Sequence, residues 1–77
     1  MLRRDDVGIR GETFYERNIR ALVETEENIG RMVIIDLGSG DFEVDDLGLG
    51  AARILQSRHS NPVLYGKRIG YDVAEAL

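Results

Sequence analysis

The chain has 77 residues, 43% of them hydrophobic and 31% charged, with no cysteine, a single histidine and a net charge of −4. That is enough for one small domain with a modest core, and it excludes disulfides, thiolate metal sites and a doubly wound nucleotide-binding fold. No apolar run approaches the ~20 residues of a membrane-spanning helix, and an acidic chain without a basic stripe argues against direct nucleic-acid binding and fits better with a basic protein partner or with solubility.

Residues 1–10 are polar and mixed in charge, and read as a flexible N-terminal arm or the start of a helix. Arg3 and Arg4 could contact an anion but read as part of a solvated tail, and no apolar segment follows them as in a secretory signal, so the expected location is the cytoplasm. Residues 11–77 then form a single domain. From Gly11 to about Glu24 the spacing predicts a helix, with Phe14, Ile19, Leu22 and Val23 as its apolar stripe and Tyr15 beside it. Glu16 and Arg20 stand four apart on its outer face. The stripe packs on a sheet, or alternatively meets a partner protein. Glu24 to Gly30 is an acidic connection, whose Glu24, Glu26 and Glu27 read as solvated surface rather than as cation ligands.

Met32 to Ile35 is a short apolar run rich in β-branched residues, which favours a strand over a helix. It does not alternate, so both faces are covered and Met32–Asp36 is expected at the centre of the sheet. Leu37-Gly-Ser-Gly40 offers two glycines able to take φ > 0, which makes a chain reversal cheap. Phe42 and Val44 then alternate with Asp41, Glu43 and Asp45, the period of a half-buried strand. The same turn resembles two nucleotide motifs, the strand-end D-x-G-x-G of Rossmann-type methyltransferases and the D-L-G-[ST] of actin-like ATPases. Those loops open a helix whose N-terminus meets the ligand, whereas this one runs into Phe-Glu-Val. Leu37 also replaces the hydroxyl residue of an aspartic-protease triplet, and the acidic run lacks the spacing of a calcium loop.

Asp45 or Asp46 is placed to cap a second helix that reaches about Arg58. Ala51, Ala52, Ile54 and Leu55 give its buried side, with Leu47 or Leu49 leading in. Gly48 and Gly50 disfavour a regular first turn. His59 is the only histidine and has no sequence partner for zinc binding or catalysis. Ser60-Asn-Pro62 stops the helix. Val63 to Gly70 reads as the third strand, with Val63, Tyr65, Lys67 and Ile69 on one face and Leu64, Gly66 and Arg68 on the other. Gly66 suggests a close approach by a neighbouring element. Tyr71 to Leu77 reads as a final turn or short helix.

From Tyr15 onward the chain resembles a family of small, largely uncharacterised acidic bacterial proteins. The resemblance rests on Tyr15-Glu16, Val23-Glu-Thr-Glu-Glu-Asn-Ile-Gly30, Val33-Ile-Ile-Asp36, Ser39-Gly-Asp-Phe-Glu-Val-Asp45, Ala51, Leu55 and Tyr65-Gly-Lys-Arg-Ile-Gly-Tyr71. Leu37-Gly38 and Gly50 depart from the pattern. It implies a hairpin at Ser39-Gly40 and, for some relatives, an antitoxin-like role beside a protein partner.

The expected fold is α+β, in the order α-β-β-α-β. The third strand lies parallel to the second across the central one, and the second helix covers one face. The first helix, or a second copy of the chain, covers the other. The expected function is a non-enzymatic protein-interaction module, antitoxin-like, binding a protein partner or itself as a homodimer through its first helix or a sheet edge. The alternative is a small-molecule or nucleotide-binding protein using the Asp36–Asp41 turn. No residue is assigned as catalytic, cofactor-binding or metal-binding.

Overall fold

The computed structural model describes residues 4–71, with side chains from Asp6 onward. The anion contact weighed for Arg3 and Arg4, and the last turn expected up to Leu77, lie outside the described residues. The element order is α1 (Arg4–Phe14), a π-helical turn (Tyr15–Ile19), α2 (Arg20–Val23), β1 (Met32–Asp36), β2 (Phe42–Asp45), α3 (Leu49–Arg58) and β3 (Leu64–Arg68). The first three run on as one helical rod, so helical backbone begins at Arg4, before the expected Gly11. Residues 4–14 carry almost no directional apolar face, which is why sequence periodicity missed that beginning.

The sheet order is β2-β1-β3, with β1 antiparallel to both neighbours. β2 and β3 are therefore parallel to each other across it. β1 is buried along its whole length, as its unbroken apolar run required. Val33 pairs with Val44 and Lys67, and Ile35 with Phe42 and Tyr65, so these residues share one face of the sheet. The helical rod covers that face: Tyr15, Ile19 and Val23 pack with Val33, Ile35, Tyr65 and Ile69. On the opposite face Ile34 packs under Ala51 and Leu55 of α3. The layers are thus helix, sheet, helix, and the first helix covers its face without a second copy of the chain.

The helix–sheet seam departs from a simple α-helical reading. Its buried positions are Gly11, Tyr15, Ile19 and Val23, spaced every four residues. In an α-helix each such step drifts about 40° around the axis. The π turn absorbs one extra residue and sets the phase back, so all four positions stay on one face. The same shift swings Leu22 outward, where it is 63% exposed, and leaves Phe14 only half-buried. At Gly11 the seam closes directly onto β3: a methyl group there would overlap the Tyr65 ring.

The hairpin closes through Asp36 N–H to Asp41 O (2.8 Å) and Gly40 N–H to Asp36 O (2.7 Å). Of the two glycines in the turn only Gly40 has positive φ, at 81°. α3 ends at Arg58 as expected. At its start Asp45 accepts from the backbone N–H groups of Gly48 and Gly50 at 3.1 and 3.0 Å; Asp46 instead pairs with Arg31 at 2.8 Å. Leu47 and Leu49, expected to lead into the core, are exposed, as is much of Ile54.

Candidate functional site

Three places gather chemistry-bearing side chains. The first is the closed end of the hairpin, the turn that resembles a nucleotide loop. Asp36 ends β1 with its side chain buried. Its Oδ1 accepts from Gly38 N–H (3.1 Å) and Val63 N–H (2.9 Å), and its Oδ2 from Ser39 Oγ–H (2.8 Å). Ser39 Oγ in turn accepts from Asp41 N–H. Burial alone would raise the Asp36 carboxyl, but the bonds from Ser39, Val63 and Gly38, with the nearby His59, hold it below the usual aspartate range. This carboxylate ties the turn to the start of β3.

Arg58 and His59, at the end of α3, close over the same turn. His59 Nε2 lies 2.7 Å from Asp41 Oδ2, and its Nδ1 lies 3.9 Å from Asp36 Oδ2. Arg58 reaches Asp41 at 3.2 Å and Glu43 at 2.5 Å. The bond to His59, together with the Arg58 charge, holds the Asp41 carboxyl below its ordinary value. Chemically the cluster is a clasp between helix and hairpin. The N–H groups of Gly38, Gly40 and Asp41, which a phosphate loop would offer outward, are engaged within the turn. The carboxylates of Asp36, Asp41 and Glu43 surround it, and they repel an anion. The Ser39 hydroxyl donates to a carboxylate rather than to the histidine. Among the described residues no three such ligands are grouped to hold a metal ion.

The second place was missed by sequence reasoning. Under the helical rod, Lys67 is 2% exposed. Its Nζ donates to Glu12 Oε1 at 3.0 Å and stands 5.1 Å from the centre of the Tyr15 ring. The Tyr65 hydroxyl donates to the other Glu12 oxygen. At the tip of the ring the Tyr15 hydroxyl donates to Glu24 Oε2 at 2.6 Å, and Glu24 also pairs with Arg20. Burial opposes the Glu12 charge, but its bonds to Tyr65 and Lys67 outweigh this and keep its pKa low. Burial and a carboxylate acceptor push both phenols above the usual tyrosine value. The sequence signal was present: Lys67 falls between Tyr65 and Ile69 on an inward face. A lysine there needs an acid from the covering element, and Glu12 supplies it.

The third place is the outer face of the same rod. A shallow groove of about 280 Å³ is lined by Ile9, Arg10, Thr13, Phe14, Arg17 and Asn18. Ile9 is 67% exposed. Phe14 forms the groove's inner wall and packs towards the hairpin, where a methyl group on Gly40 would lie 3.2 Å from its ring. The phase shift of the π turn brings Leu22 round towards the same side, two turns further on. Phe14 and Leu22, both assigned to the inner stripe by periodicity, thus belong wholly or partly to this outer one.

Comparison with protein-family models, curated proteins and solved structures returns no match.

Proposed function

We propose that the chain is a non-enzymatic protein-interaction module, resident in the cytoplasm, whose first helix is the docking element. One observation carries this reading: the outer face of the rod keeps Ile9 and Leu22 mostly exposed beside half-buried Phe14, although the sheet seam of the same rod is closed. Exposed apolar side chains on a surface helix are a common means of partner recognition. The resemblance to small acidic bacterial proteins, some antitoxin-like beside a partner, points in the same direction. The nucleotide-binding alternative is weaker, because the Asp36–Asp41 turn commits its donors internally. No helix among the described residues is long and apolar enough to cross a membrane.

The test is affinity purification of the tagged chain from its native host, beside a variant carrying Ile9→Glu and Leu22→Glu. Both positions are exposed, so the variant keeps the wild-type circular dichroism spectrum. A protein recovered with the wild type and lost with the variant supports the reading. Recovery of the same proteins with both, or of none with either, removes it.

A further inference from the structure

We propose that the partner surface for the helical rod is an acidic amphipathic helix, with carboxylates flanking its apolar residues. This rests on the docking role argued above and reverses the charge expected from composition alone. The chain carries a net charge of −4, which pointed to a basic partner. Its described carboxylates, however, are largely engaged within the fold, apart from exposed Glu26 and Glu27 in the connection after the rod. Glu12 is held by Lys67, Glu16 and Glu24 by Arg20, Asp41 and Glu43 by Arg58, and Asp46 by Arg31. Asp45 caps α3, and Asp36 is closed inside the hairpin.

Lys67, Arg20, Arg58 and Arg31 are committed in those pairs, but two arginines of the rod are not. Arg10 and Arg17 make no ion pair among the described residues, and both line the groove beside Ile9 and Phe14. They stand seven residues apart, about 10 Å or two helical turns. An antiparallel or parallel helix laid along the groove presents side chains at that same spacing. Apolar residues repeating at i, i+3 and i+4 over about four turns would meet Ile9, Phe14 and Leu22 in succession, and carboxylates two turns apart would meet the two guanidinium groups. A basic helix placed there would bring like charges against Arg10 and Arg17. A second copy of the chain supplies no such helix among the described elements, because its own rod presents the same arginines.

The probes are two synthetic peptides, one of leucines at helical i, i+3, i+4 spacing with glutamates elsewhere, the other identical with lysines for glutamates. Each is titrated into the isotope-labelled full chain and followed by amide shifts. The expected result is that the glutamate peptide moves the amides between Ile9 and Leu22 and binds more weakly as salt rises. A double variant, Arg10→Glu with Arg17→Glu, should lose about tenfold in affinity for it and gain affinity for the lysine peptide. Equal binding of both peptides, or binding indifferent to the double variant, overturns the proposal. So does a stripe that responds only to anionic phosphatidylserine vesicles, or one buried in a dimer by sedimentation. In the host purification, a partner lost with the Ile9 and Leu22 changes but kept with the Arg10 and Arg17 changes leaves the docking role standing and removes its acidic complement.

Discussion

Two glycines in the first helix have opposite meanings, although local propensity treats them alike. In a helix, glycine costs about 1 kcal/mol relative to alanine because it surrenders more backbone freedom. At Gly8 nothing stands within 4 Å of the place a methyl group would take, so Gly8→Ala should raise stability by about 1 kcal/mol. At Gly11 the same methyl would run into the Tyr65 ring. That ring is held by its own hydroxyl bond to Glu12, so it has little room to retreat. Gly11→Ala should therefore lower stability by about 2 kcal/mol, the usual cost of overpacking, despite the better helix propensity. Urea unfolding of the two variants reads both signs; a stabilised Gly11→Ala would mean that the rod stands off the sheet. Sequence reading looked for the close approach at Gly66, inside β3. The contact that matters at this seam lies one element away, because a glycine on the covering helix admits a large ring from the strand.

The π turn is the device that lets one rod serve the sheet on one side and solvent on the other. Without it, Gly11 and Val23 would drift about 120° apart around the axis, and Val23 would leave the seam. Because the turn holds one surplus residue, removing a residue there should leave the flanking stretches in phase. Deletion of Glu16, an exposed position paired only with exposed Arg20, is expected to shift the melting temperature by only a few degrees, since that surface pair contributes about 0.5 kcal/mol or less. Insertion of one alanine after Glu16 should instead unfold the chain at room temperature, since it turns Ile19 and Val23 about 100° away from the sheet. Thermal circular dichroism separates the two. This element also marks where the sequence stopped being legible. A period of 3.6 residues places Leu22 over Tyr15 and predicts it inside. Nothing in the letters Tyr-Glu-Arg-Asn-Ile announces a turn of a different pitch, because its cause is the demand of the sheet for Tyr15, Ile19 and Val23 together.

At the scale of the whole molecule, the strand order and the central place of Met32–Asp36 were readable because each rests on a local pattern: an unbroken apolar run, an alternating run and a glycine turn between them. The carboxylate networks were not, because Glu12 meets Tyr65 and Lys67, and Asp36 meets Val63, only across the fold. Those networks set how the domain responds to pH. Glu12, Asp36 and Asp41 all have folded pKa values below their ordinary values of 4.5, 3.8 and 3.8. The folded state thus favours their charged forms, and this stabilisation is present above those values and lost as pH falls through the lower folded ones. Tyr15 and Tyr65 have folded pKa values above 10.0, so the folded state favours the neutral phenol. That contribution is complete below pH 10 and drains away as pH rises towards the folded values. Urea midpoints should therefore form a plateau through neutrality, fall on the acid side from about pH 4, and fall again above about pH 10. Tyr65→Phe should trim the alkaline fall and lessen Glu12's share of the acid one, since Glu12 then keeps only its bond to Lys67, while the shares of Asp36 and Asp41 stay. An alkaline fall unchanged in that variant would show that the hydroxyl of Tyr65 does not share its proton with Glu12 in the folded chain.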